Sequence, residues 1–477
     1  MAGRASYPLH APVGHWRNRH SVPCGQCNRR SRRSSKVPCH QAPRPPIGGS
    51  QSHGPRYVIV ILIVIWIISD GYFQPTRTEW DKFRRYASWM RRLNVYADFT
   101  VQEEVLHMIS DNSPNGIMCP GLRELKWTGN RKPLPFPRLF LSPHLVTFSF
   151  RCVSSPLSEE ILSNLASAIA ELPTSSLQYL RIDGRIPKNS VSTDLGSVVS
   201  STILRCGPSL TALYASVPLS DAAVQHIMRL PKLTSWRAMN GPPRGLDLSL
   251  SYPFPQLEIL ELRTEASLEW LPPPEASARR TSPGQDAHVP PHCRLGQKLT
   301  VLDFWVGAPI DVVFMSPIME FHGLVKLILE SSCSYTDGCT FGLTDDDVAG
   351  IAIALPNLVD AIFGEVCRAD VCRTTVCSLL FLSIRCKNLE TLEIHFNTRN
   401  LREDLELIPE NSRLRGLCEL PRCQLEQLTV GNAPFRIAKE DHGPVVAGFL
   451  HIFQSLGSVY GIDTGWDELS SRFENAR

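Results

Sequence analysis

The first 69 residues contain neither aspartate nor glutamate; the first acid is Asp70. The same stretch carries ten Lys and Arg, among them Arg29, Arg30, Arg32, Arg33 and Lys36. Rich in Arg, Ser, Pro, His and Gly and without an apolar period, residues 1–56 cannot bury enough surface to offset chain entropy. They are read as a disordered basic tail. Strong charge of either sign is missing from the chain as a whole, which carries +3. Beyond residue 69 the balance turns acidic, 39 basic residues (49 less those ten) against 46 acidic. That excludes a polybasic nucleic-acid binder, and no nucleic-acid partner is expected. Asn-x-Ser/Thr acceptors are absent, which speaks against a secreted life. The fifteen cysteines are odd in number, so at least one thiol is unpaired. They are read as mostly reduced, in an intracellular, cytoplasmic or nuclear setting.

No continuous apolar stretch is long enough to span a bilayer as a straight helix. The run Tyr57-Val-Ile-Val-Ile-Leu-Ile-Val-Ile-Trp-Ile-Ile68, closed by Ser69, would cover about 20 Å as a helix against roughly 30 Å of hydrocarbon. Its β-branched content favours strand. A secretory signal would stand nearer Met1 and end on small residues, unlike Ser69-Asp70-Gly71-Tyr72. Three readings of 57–69 stay open: a buried strand or core segment, a membrane anchor, and an aberrant amino terminus. The Arg-rich, acid-free start is also similar to a mitochondrial presequence.

Catalytic signatures are missing too. There is no phosphate-binding Gly-x-x-x-x-Gly-Lys-Ser/Thr, no Gly-x-Gly-x-x-Gly, no His-Glu-x-x-His and no Gly-x-Ser-x-Gly elbow. Cys24-x-x-Cys27 with Cys39-His40 is a poor chelating set, because zinc needs two ligand pairs held by a small fold. Cys333/Cys339, Cys367/Cys372/Cys377 and Cys418/Cys423 are spaced too widely, and Asp345-Asp346-Asp347 is read as a helix start. No enzyme activity, catalytic residue, cofactor or metal is expected.

What is present is a repeat. Residues 79–118 open with an amphipathic helix, Trp80, Phe83, Tyr86, Ala87, Met90 and Leu93 falling on one face, and lead into the repeats. From about residue 119 to 477 the pattern Leu-x-x-Leu-x-Leu recurs. Clear copies are Leu122/Leu125/Trp127, Leu145/Phe148/Phe150, Leu177/Leu180/Ile182, Leu257/Leu260/Leu262, Leu299/Leu302/Phe304, Leu324/Leu327/Leu329, Leu389/Leu392/Ile394 and Leu425/Leu428/Val430. Weaker ones are Leu210/Leu213/Ala215, Leu233/Trp236/Ala238 and Leu358/Ala361/Phe363, with a terminal copy at Leu456. Successive spacings run from 23 to 42 residues. The closing Leu-x-Leu alternates as a short strand with one buried face must. Between the copies lie helical periods, opened by Ser158-Glu-Glu-Ile161, Ser220-Asp-Ala-Ala-Val224 and the capping box Thr344-Asp-Asp-Asp347. This is the leucine-rich-repeat signature. It predicts an irregular α/β solenoid of ten to twelve units, with parallel strands on a concave face and return helices on the convex face. A Pro-rich loop interrupts it at 264–298.

Two segments extend the match. Arg205-Cys206-Gly-Pro-Ser-Leu210 and Arg385-Cys386-Lys-Asn-Leu389 place a cysteine just before the repeat leucines. Together with Trp80–Leu93 and Leu139-Phe-Leu141-Ser-Pro143-His-Leu145, they resemble fungal F-box-like leucine-rich-repeat proteins over about residues 79–470. The resemblance implies a non-enzymatic substrate receptor of a ubiquitin ligase. A Skp-type adaptor and a cullin are implied only where a native F-box precedes Trp80, and no stretch of residues 1–79 matches that module. The alternative is a ligase-independent binding protein, membrane-tethered through 57–69.

The residue between the last two repeat positions points away from the core. Along the array this row reads Lys126, Ser149, Arg181, Tyr214, Arg237, Glu261, Asp303, Ile328, Ile362, Glu393 and Thr429. It is the candidate surface for a protein partner. Cations in its first half and acids in its second suggest a face divided by charge.

Overall fold

The computed structural model describes residues 76–96, 103–129, 137–152, 159–184, 192–239, 254–264, 298–306, 310–316, 318–331, 341–364, 372–410, 423–431, 435–461 and 463–476. The basic tail 1–56 with its Cys-x-x-Cys, the run 57–69 and nearly all of the Pro-rich segment 264–298 lie outside these residues.

Each repeat leucine pattern becomes a strand. The strands are β1 (Arg92–Tyr96), β2 (Glu124–Gly129), β3 (Thr147–Cys152), β4 (Tyr179–Gly184), β5 (Ala212–Ala215), β6 (Ser235–Ala238) and β7 (Ile259–Thr264), followed by β8 (Val301–Val306), β9 (Lys326–Ser331), β10 (Asp360–Phe363), β11 (Thr391–Ile394), β12 (Gln427–Thr429) and β13 (Ser458–Tyr460). They form one 13-stranded sheet in strict sequence order, and every pairing is parallel. Parallel neighbours need a crossover, and the return segments supply it. Among them are helices Glu159–Ala170, Ser192–Arg205, Asp221–Met228, Asp345–Ala354, Val376–Arg385, Leu401–Glu410 and His442–Ile452. Sheet order equal to chain order, with each unit leaning mainly on its neighbours, makes this an α/β leucine-rich-repeat solenoid.

Burial explains the register. Leu125, Leu180, Leu302, Leu327, Leu392 and Leu428 are fully buried and Leu260 nearly so, as are the first and last apolar positions of every copy. Slipping any strand by one residue would turn its leucines to solvent and its charges inward.

The helix starts follow the capping signals. Ser220 accepts a hydrogen bond from the Ala223 amide. Thr344 and Asp347 form the reciprocal capping box. Asp345 does something the sequence did not disclose: its carboxylate accepts from the Thr375 amide and hydroxyl, both at 2.7 Å, and from the Ser378 hydroxyl. Thr375 is itself the cap of Val376–Arg385, accepting from the Cys377 amide. One side chain of the Asp triplet thus ties the starts of two successive helices together.

The lead-in differs from the sequence reading. The first helix runs Arg77–Trp89 and stops. Leu93, read as part of the helical face, belongs with Val95 to β1, which pairs with β2 through Leu93 opposite Leu125. The sheet therefore begins before residue 119. Met90, Leu93 and Val95 follow the same three-then-two step as the other copies, masked by a helical period that reaches the same leucine. Tyr86, placed on the packing face, is 49% exposed, because Trp80 and Ala87 alone turn inward as fully buried residues.

Candidate functional site

The strand pairing sets the eleven row residues side by side. Lys126 faces Ser149, Ser149 faces Arg181, Arg181 faces Tyr214, and Tyr214 faces Arg237. The row goes on through Glu261, Asp303, Ile328, Ile362, Glu393 and Thr429. Asn94 on β1 and Tyr460 on β13 extend it at the two ends. All the predicted residues share one face and one register.

Their surroundings do not divide by charge. Alternation also brings the residues two before and two after each row position onto the same face, and many carry the opposite sign. Glu124 lies between Arg92, at 3.1 Å, and Lys126, at 2.5 Å. Asp183 takes Arg181 at 2.7 Å and Arg151 at 3.5 Å. Arg237 meets Glu261 across β6 and β7 at 2.8 Å, and Lys326 meets Asp360 at 3.3 Å. The expected basic half is neutralised in place. The row alone was too narrow a strip; counting two residues to either side along each strand would have found Glu124, Asp183, Lys326 and Asp360.

The middle of the face is partly desolvated. Arg181 lies over the Tyr214 ring at 4.5 Å, a cation–π contact. Burial pulls its guanidinium pKa down, but the Asp183 hydrogen bond and charge overcome that and hold it above its ordinary value. Burial raises the Tyr214 phenol, with Asp183 adding to the effect. Burial likewise raises the Glu261 carboxyl against the pull of Arg237, and Asp303 pushes it the same way. Asp303 is buried and shifted upward by desolvation, with Arg263, Lys326 and Arg237 opposing. Ile328 and Ile362 follow as half-buried apolar neighbours.

Candidate chemistry elsewhere resolves into packing. Cys206 and Cys386 are buried where a helix ends before its strand; burial pushes their thiols up to about 11 and about 12. Cys386 donates to the Leu355 carbonyl of the preceding unit at 3.5 Å. Such thiols are small core residues rather than nucleophiles. Among the described residues no group of three His, Cys, Asp or Glu is arranged to hold a metal ion. No helix among them is long and apolar enough to cross a membrane.

No protein-family model matches the sequence, and no curated protein matches it. Among solved structures the chain is similar to an internalin from Listeria monocytogenes, at 13% identity over 84% of this chain and 88% of that one, with a TM-score of 0.34. It is also similar to a leucine-rich-repeat protein of Leptospira interrogans, at 13% identity over 84% of this chain and 98% of that one, with a TM-score of 0.28. The repeat architecture itself rests on the register and burial above.

Proposed function

We propose that this chain is a non-enzymatic protein-interaction scaffold that binds a protein partner on the exposed face of its sheet. One observation carries the reading: thirteen strands hold a continuous row of charged, aromatic and apolar side chains in register while the opposite face alone supplies the core. Half-buried Arg, Tyr and Ile at the centre, with ion pairs around them, match the anatomy of a binding patch. The test compares partners captured by the full chain with those captured by a Tyr214→Ala/Ile362→Asp variant of unchanged melting temperature. Loss of one and the same protein from the variant supports the reading; an identical set of partners refutes it.

The finer role is that of a substrate receptor of a ubiquitin ligase, working in the cytoplasm or nucleus. The cysteine-bearing repeat starts at Cys206 and Cys386 support it, as do seven free cysteines among the described residues, six of them buried. Binding of a purified Skp-type adaptor is its test, and absence of binding leaves the scaffold without the ligase. The apolar run 57–69 favours a second reading, a ligase-independent scaffold tethered to a membrane. Alkaline carbonate extraction separates the two, since a tethered chain stays with the membrane pellet.

A further inference from the structure

Asp303 is the odd member of the exposed face. It is 8% exposed, and its Oδ1 is sealed from solvent with no hydrogen-bond donor. The carboxylates of Glu124, Asp183, Glu261 and Asp360, on the same face, each meet a cation. Arg237, Arg263 and Lys326 act on Asp303 only through space, and two of them are turned elsewhere, Arg237 to Glu261 and Lys326 to Asp360. Directly opposite Asp303 on the neighbouring strand stands Glu261. Like charges in direct register repel, and a desolvated anion without a donor is costly. The fold does not require either arrangement. The next two positions of the row are Ile328 and Ile362, so an apolar residue fits there. The chain keeps a destabilising carboxylate at the centre of its exposed face, beside a second one.

Resting on the reading of this face as the partner surface, we infer that Asp303 and Glu261 form an anchor for a basic side chain of the partner. The occupant is an Arg or Lys within a protein segment laid across β7 to β10. Its charged head sits between the two carboxylates and donates to Asp303 through the fraction of that residue left open. Its methylene stem lies on Ile328, as long cationic side chains pack on apolar surface. One cation offsets both the uncompensated charge of Asp303 and the carboxylate repulsion, while the sealed Oδ1 stays out of its reach. The match is therefore worth more here than beside Asp183 or Asp360, whose cations are already in place.

The experiment pans a phage-displayed random peptide library against the full chain and measures the selected peptides by fluorescence anisotropy. Binding is compared for the native chain and for Asp303→Asn, Glu261→Gln and Ile362→Asp. The expected result is enrichment of peptides with an Arg or Lys beside apolar residues. Their binding should fall tenfold or more with Asp303→Asn and by less with Glu261→Gln, while neither variant melts below the native chain. Peptides weakened by Ile362→Asp but indifferent to Asp303→Asn, or selected without a basic residue, overturn the anchor and leave the exposed face as the binding surface. Failure to enrich any peptide, or peptides indifferent to all three changes, overturns both.

Discussion

Along β9, Leu327 and Leu329 point one way and Lys326, Ile328 and Glu330 the other. The first pair is fully buried; the second set is half-buried. The same contrast runs the width of the sheet. One face repeats a single solution, an apolar residue locked against its neighbours, in every unit. The other holds cations, acids, aromatics and aliphatics with no repeat at all. A solenoid can leave its second face free because each strand's hydrogen bonds and first face already fix its place. Variation there leaves the fold alone, so the exposed face can be shaped by whatever it binds.

Cutting into the repeating face should produce the largest effect. Leu327→Ala removes a side chain that is 0% exposed and is expected to cost about 2–5 kcal/mol, read by chemical denaturation. A loss under 1 kcal/mol would mean that the register described for β9 is wrong. Asp345→Ala comes next. It strips partners from the Thr375 amide and from the Thr375 and Ser378 hydroxyls, at an expected roughly 1–3 kcal/mol. Amide exchange should rise at the start of Val376–Arg385 rather than across the whole sheet. On the other face the sign reverses. Asp303→Leu replaces an unpartnered buried carboxylate by an aliphatic side chain, as its row neighbour Ile328 carries, and is expected to raise stability by about 1 kcal/mol.

The same carboxylate gives the smallest and most specific effect, one of pH. Its folded-state pKa lies above the ordinary 3.8 because of burial, so the folded chain holds that proton more tightly than the unfolded one. The associated stability is fully present below pH 3.8 and is lost as pH rises through the folded value. Glu261, raised by burial as well, adds a slope of the same sign. Denaturation curves collected from acid to neutral pH should therefore be flatter for Asp303→Asn than for the native chain. Parallel slopes would place the titration on other groups.

The buried face could be read from the sequence almost residue by residue. Alternation and the three-residue step to the first leucine leave little freedom once neighbours must stack. Leu358/Ala361/Phe363 was a weak copy by its letters, yet it is fully buried, because a small residue is as acceptable there as a large one. The exposed row was legible as a list but not as a surface. Nothing in a strand's own sequence says that Asp183, two residues after Arg181, will also take Arg151 from the strand before. That pair depends on register between residues 32 positions apart, and charge halves drawn from one residue per strand could not survive it. β1 was missed for a related reason. Leu93 satisfies a helical and an extended period equally, and only the presence of β2 alongside decides between them.

The carboxylate of Asp345 also bears on how this array responds to force. In a solenoid each unit can in principle peel from the next, because it leans mainly on its neighbours. A side chain that reaches from the first turn of one helix to the cap of the following one acts as a strut across that seam. Load applied along the array would meet it as shear on three hydrogen bonds in parallel. The units carrying Asp345–Ala354 and Val376–Arg385 would then part as one step where their neighbours part singly.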